Sequence, residues 1–200
     1  MQYSTAVFAL LSLFSASASL AAPTTNTPAA ATGFALPSLI RAHNVTSNAN
    51  SGVEGSESVP ALSTFRRARD EMTTLFDIPI PASAAGRTCA LVIKASPPFD
   101  VVYDGTKLDI FANGFTDLAV LTQGNLRDRQ LARVVFNAHT NVFDFLRADF
   151  VPTIDAFPCP AGKTLHWEAV SVGEDVFTFI AQASVVLGSE VPEGLSVAWF

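Results

Sequence analysis

Charge is scarce in this chain, and basic charge scarcer. Charged residues make up 15% of the 200, and 12 Lys and Arg stand against 18 Asp and Glu, for a formal net charge of −6. Without a basic excess the electrostatic footprint of a nucleic-acid binder is missing. Cysteine is limited to Cys89 and Cys159, too few for a disulfide-dense miniprotein or a four-cysteine zinc module. Long hydrophobic runs are also absent. Val176 to Leu187 is broken by Thr178, Gln182 and Ser184, and Ala6 to Leu13 falls far short of a bilayer of roughly 30 Å. The Gly-x-Ser-x-Gly elbow of an α/β hydrolase is missing too. What remains is an apolar chain, 49% hydrophobic, able to bury the core of one domain of ordinary size.

No charged side chain precedes Arg41. The apolar stretch Ala6–Leu13 leads into Ser19-Leu20-Ala21-Ala22, an h-region followed by a small-x-small cleavage site. Residues 1–21 are therefore expected to be a signal peptide, cut after Ala21, its n-region relying on the α-amino group for positive charge. The alternative, an anchor, fails on length, and the C-terminal Leu195–Phe200 is too short a tail for a lipid-anchor signal. The mature chain is expected to be secreted, extracellular or in the cell wall, with no stable membrane anchor.

Residues 22–61 read as a low-complexity linker or propeptide, rich in Ala, Thr, Ser, Asn and Pro and too polar to offset backbone entropy. Its one apolar island is Phe34–Ile40. Asn44-Val45-Thr46 is the chain's glycosylation sequon, in a stretch expected to be exposed. Residues 62–200 form the expected domain. Ser63 to Leu75 carries a possible N-cap and Phe65, Ala68, Met72 and Leu75 at helical spacing, which predicts a short helix. On that reading Arg66-Arg67 is one side of the helix; the other reading is a dibasic processing site. Beyond Leu75 the pattern is of strands: Cys89–Ile93, Arg133–Ala138, Thr164–Val172, Val176–Ala181 and Ser196–Trp199. Val101–Tyr103, Asp104-Gly105 and Lys107–Phe111 read as a hairpin, because Asp-Gly tolerates the positive φ of a tight turn. Asp117–Gln123 reads as one or two helical turns. About seven short strands separated by Pro and Gly predict an all-β fold, an antiparallel β-sandwich with a short helix and a disordered N-terminal segment.

An even pair of cysteines in a chain bound for an oxidising compartment predicts one intrachain disulfide, Cys89–Cys159; free thiols or an intermolecular bond are the alternatives. A metal site is not expected, because His43, His139 and His166 lie at no close ligand spacing to a cysteine. No cofactor is implied.

Several stretches combine into a family pattern: Phe76-Asp77-Ile78-Pro79, Gly86-Arg87-Thr88-Cys89-Ala90-Leu91-Val92-Ile93, Phe157-Pro158-Cys159-Pro160-Ala161-Gly162-Lys163-Thr164-Leu165, and the closing Pro192-Glu193-Gly194-Leu195-Ser196-Val197. Together they resemble the fungal But-two C-terminal domain family, from about Leu75 to Phe200. The family takes its name from a protein reported to bind a ubiquitin-like-protein activating enzyme. That partner is cytosolic and does not carry over to a chain read as secreted. The resemblance implies a secreted, single-domain protein with Cys89 and Cys159 bridged, and it transfers no catalytic residues.

Chemistry is sparse. His139 or His166 could serve as a base, although no partner is visible by spacing, and each reads more readily as a surface or satisfied histidine. Asp100, Asp104 and Asp109 could hold calcium through oxygens; turn and edge-strand solvation is the plainer reading. Tyr103, Trp167 and Trp199 are the rings that a sugar-binding surface would use, set against the ordinary fate of Trp as a core residue. The expected function is a non-catalytic secreted or cell-wall interaction domain, its partner a cell-wall polysaccharide or an extracellular protein. The alternatives are a carbohydrate-binding module and a hydrolase with an unrecognised site.

Overall fold

A computed structural model describes residues 31–51, 61–183 and 190–200. Residues 1–21, expected as a signal peptide, and residues 22–30 and 52–60 of the expected linker lie outside the described residues. The fold is all-β and antiparallel, with one 3-10 turn at Ala82–Ala84 and no other helix among the described residues. None of them forms a helix long and apolar enough to cross a membrane.

The strands are β1 (Gly33–Ala35), β2 (Leu39–Asn44), β3 (Ala49–Asn50), β4 (Ala61–Arg67), β5 (Asp70–Pro79), β6 (Thr88–Lys94) and β7 (Lys107–Asn113). They continue as β8 (Arg127–Asn137), β9 (Val142–Phe145), β10 (Phe157–Pro158), β11 (Thr164–Val172), β12 (Val176–Ala181) and β13 (Gly194–Trp199). The sandwich expectation becomes one continuous, strongly curled sheet, a half-barrel, in the order β1-β13-β6-β9-β8-β7-β11-β5-β2-β3. Its ends curl over the main core. Leu62 of β4, Phe76 and Ile78 of β5, Leu108 of β7, Trp167 of β11 and Leu195 of β13 all belong to one apolar cluster.

The helix expected over Ser63–Leu75 is instead the hairpin β4–β5, with Phe65 opposite Met72 and Arg67 opposite Asp70. Ala68 turns it at φ 52°. Helical spacing there was a coincidence of composition. The alternative alternation, Leu62 and Thr64 inward and Ser63 and Phe65 more exposed, is the one that tertiary pairing selects. Arg66 and Arg67 lie on this hairpin beside Glu174 and Asp175, at 3.8 and 3.4 Å. The linker reading is likewise corrected for residues 33–50, which supply β1, β2 and β3; β2 pairs with β5 from Leu39–Asp77 to Asn44–Met72. Polar composition misled because Arg41 and His43 are buried under a neighbouring loop. The Asp104-Gly105 turn forms, with Thr106 N–H donating to the Tyr103 carbonyl at 3.0 Å. Its leading arm does not pair with β7, however: Val101 pairs with Phe179 of β12. Asp117–Gln123 is loop, with a turn at Leu118–Leu121, not helix.

β5 is the branch strand. On one side it pairs with β2; on the other, first with β4 and then with β11. Where β4 leaves, the Thr74 hydroxyl takes over the ladder, donating to the Ser63 carbonyl at 2.5 Å and accepting from the Ser63 N–H at 2.9 Å. β4 then pairs with β12, and this ribbon closes over the core through Leu62 and Ile180, both fully buried.

Cys89 and Cys159 form the expected disulfide, with Cα atoms 5.0 Å apart. It locks β6 to the chain leaving β10, across a sequence separation of 70. Reduction should lower stability by about 4 kcal/mol through regained loop entropy, measured as a shift in urea midpoint with and without reductant. Phe76→Ala, which empties the centre of the core, should cost about 3–5 kcal/mol in the same measurement.

Candidate functional site

The outer face of β2, β5, β11, β7 and β8 is polar where an open sheet would be wet, yet it is buried. Glu168 of β11 is 0% exposed at its centre. Arg127 of β8 clamps it with both Nε and a terminal nitrogen, at 3.0 and 2.8 Å. The Asn125 amide donates to both its oxygens at 3.0 and 3.2 Å, and Asn113 Nδ2 to one at 3.3 Å. Asn113 also donates to the Asn125 carbonyl. The guanidinium of Arg127 lies 4.7 Å from the Phe111 ring centre.

Residues 114–126, between β7 and β8, lie over this face. Asp77 of β5 accepts the Leu118 N–H at 3.2 Å, and Arg41 donates to the carbonyls of Ala119 and Leu121 at 2.7 and 3.2 Å. Asn50 donates to the carbonyls of Leu121 and Gly124, both at 2.9 Å, while His43 Nδ1 meets its Oδ1 at 2.6 Å. Phe115 and Leu118 pack on Leu75 beneath, a small second core.

His166 belongs to this layer. Its Nδ1 lies 2.6 Å from Asp77 Oδ1, and its ring meets Phe115 edge-on with centroids 4.9 Å apart. This is the base-and-orienter half of a catalytic arrangement. Among the described residues no hydroxyl or thiol hydrogen-bonds to the ring, and Asp77 spends its other oxygen on the loop. Sequence reasoning named His166 but missed Asp77, which is 89 residues away in the chain. The missed Glu168 carried one sequence signal: an acidic residue in the middle of a strand-like run, between Trp167 and Ala169. His139 is exposed on the turn after β8.

The three candidate aromatic residues do not converge. Trp167 is 3% exposed, an inward core residue against Phe157, and so presents no platform. Trp199 is half-buried; its ring lies over Gly33, where a Cβ would come within 2.3 Å of ring atoms. Tyr103 alone is open, at 71% exposure. It has company that the sequence did not mark. Phe99 and Val101 are also exposed, whereas the intervening Asp100 and Val102 are buried. Val101 pairs with Phe179, and Phe177 with Phe65, so these side chains share the outward face of the β4–β12 ribbon. Asn44 ends β2 in the open, its Oδ1 accepting the Ser47 N–H at 2.9 Å.

The three aspartates serve separate structural ends. Asp100 accepts the N–H groups of Ser96 and Ala181 at 2.6 and 2.9 Å, Asp104 that of Ala138 at 3.1 Å, and Asp109 pairs with Arg133 at 2.7 and 2.8 Å. No three His, Cys, Asp or Glu side chains gather as a metal would need among the described residues. A shallow cavity of about 540 Å³ opens beside the disulfide, lined by Gly86–Thr88 and Ala156–Cys159; neither His139 nor His166 lines it. No protein-family model matches the chain, and no curated protein matches it.

Burial pushes the Glu168 carboxyl up, but the hydrogen bonds and charge of Arg127, with Asn125, outweigh it and hold the group below its ordinary value. Its stabilisation is therefore present above the unfolded-state value of about 4.3 and is lost as pH falls through the lower folded value. Arg127→Ala should cost about 3–5 kcal/mol at neutral pH by leaving a buried unpaired carboxylate. The sign should also reverse. Without its partner Glu168 titrates high, so the variant loses stability as pH rises, where the parent gains it. Urea midpoints between about pH 3 and 8 read both effects.

Proposed function

We propose that the chain is a secreted, non-catalytic interaction domain of the But-two type, released from its signal peptide after Ala21 and glycosylated at Asn44. The observation that carries this reading is the exposed aromatic face of the β4–β12 ribbon. Phe99 is 87% exposed, Tyr103 71% and Phe177 42%, whereas Phe76, Phe136, Phe143 and Trp167 are buried in the main core. Contiguous exposed apolar surface on a soluble domain marks a contact site. The Cys89–Cys159 bond suits an oxidising compartment. Asn44 suits a glycan because its Oδ1 already holds the turn, so Nδ2 is the atom left for the sugar.

The His166–Asp77 pair favours a second reading, a hydrolase. Against it, Asp77 and the Phe115 ring enclose His166 on the side of the loop that they hold. The test is a turnover screen of the secreted protein on cell-wall polysaccharides, peptides and esters. No turnover is expected. Activity abolished by His166→Ala in a protein that remains folded would replace the interaction reading with the hydrolase. N-terminal sequencing of the same material should begin at Ala22, and endoglycosidase treatment should lower its mass unless Asn44→Gln has removed the sequon.

A further inference from the structure

Resting on the interaction reading, we infer that the aromatic face binds a neutral polysaccharide chain, with Phe99, Tyr103 and Phe177 as the stacking rings. Away from its tip, the outward positions of the ribbon are Ala61, Ser63 and Phe65 on β4 and Phe177, Phe179 and Ala181 on β12. None is charged. Beside them Val101 continues the face through its pairing with Phe179, with exposed Phe99 in the turn before it and exposed Tyr103 after it. Two backbone hydrogen bonds, at 2.8 and 2.9 Å, fix that pair. The segment is further held from behind, where Asp100 bonds the N–H groups of Ser96 and Ala181. Phe99, Val101 and Tyr103 are thus presented on an anchored backbone.

Three features select the ligand class. The exposed groups are mainly aromatic rings. A ring face is a negative quadrupole that attracts the C–H faces of a sugar, whose hydroxyls meanwhile stay in water. The face is uncharged away from its tip on a chain of net charge −6. An anionic glycan or an anionic membrane would be repelled by the molecule and find on the outward positions of β4 one cation, Arg67 at the ribbon's tip, which is 3.4 Å from Asp175. The rings also stand at separate places on the face: Phe99 ends the turn that its N–H closes on the Ser96 carbonyl at 3.0 Å, Tyr103 lies beyond the Val101 bridge, and Phe177 is on β12, an arrangement that suits a chain ligand touching more than one ring. A protein partner would draw on arginine as well as rings, and the one arginine at an outward position of β4, Arg67 at the tip, is already 3.4 Å from Asp175.

The test is depletion of the full secreted protein from solution by microcrystalline cellulose, chitin and insoluble β-1,3-glucan, with polygalacturonate as the anionic contrast. Retention on at least one neutral polymer is expected, and none on polygalacturonate. Binding should stay within roughly twofold from about 0.1 to about 1 M NaCl, because no ion pair is involved. The double variant Phe99→Ala/Tyr103→Ala should weaken it by about tenfold or more, as removal of central anchors does. Val120→Ala, exposed on the 114–126 loop, should leave it unchanged. Far-UV circular dichroism of the double variant should match the parent, since both side chains are solvent-exposed. Phe177→Ala, on a different strand, should weaken binding independently. Absence of retention on all three neutral polymers would overturn the proposal, as would retention untouched by the double variant. Concentration-dependent self-association in sedimentation, abolished by the same variant, would also overturn it by assigning the face to a second copy of the chain. In that case the interaction reading survives; only His166-dependent turnover removes it.

Discussion

A carboxylate with no exposure to water sits at the centre of the sheet's outer face, and the order of everything around it follows. Glu168 cannot remain ionised there without Arg127 on one side and the amides of Asn113 and Asn125 on the other. Those three partners stand at the two ends of the β7–β8 connection. Satisfying the charge therefore draws residues 114–126 down onto the sheet. Once down, they bring Phe115 and Leu118 over Leu75, and Asp77, Arg41 and Asn50 fasten the middle of the segment. Arg127 is held in turn: the hydrogen bond to Glu168 raises its own affinity for the proton, so the pair stays charged on both sides.

Covering that face makes β5 a strand buried on both sides, with Phe76 and Ile78 in the main core and Leu75 and Asp77 under the loop. Such a strand must be shared. Its partners β2 and β11 flank it, and β4 leaves it to make a ribbon with β12. Thr74 bridges the divergence, and Thr64 and Ser171 hydroxyls meet at 2.6 Å across it. The ribbon's inner face closes the core. Its outer face is left with phenylalanine at positions that no other part of the described chain covers fully. The exposed aromatic stripe is thus a by-product of closing the barrel that way, and its exposure costs solubility unless something uses it. The His166–Asp77 pair, by contrast, lies against the loop, with Asp77 accepting the Leu118 N–H and the His166 ring meeting Phe115.

Much of the strand pattern was legible because β-branched and apolar runs declare themselves locally. Thr164–Val172 and Val176–Ala181 coincide with β11 and β12, and Cys89–Ile93 lies within β6. The failures share one cause. Ser63–Leu75 has residues that suit a helix, yet the ladders to β2, β11 and β12 outweigh that modest local preference. Residues 33–50 look too polar to fold, but Arg41, His43 and Asn50 find their partners some 70 to 80 positions away or across a hairpin. Of the candidate contact residues, Tyr103 was visible as a lone ring. Phe99 and Phe177 were not, since phenylalanine in sequence reads as core.

The amino-acid sequence by itself determined the class of fold and the disulfide. Short strands separated by turns leave an antiparallel sheet as the way to satisfy the backbone, and two cysteines offer a single intrachain pair. It also determined the net charge of −6, which is a matter of counting. Tertiary structure decided the rest: one curled sheet in place of two layers, a folded N-terminal segment in place of a linker, and which aromatic rings face water. These depend on which strand lies beside which, and pairing energy is collected only between residues far apart in the chain. A pattern of alternation says that a strand has two faces. Only its neighbours decide which of them stays dry.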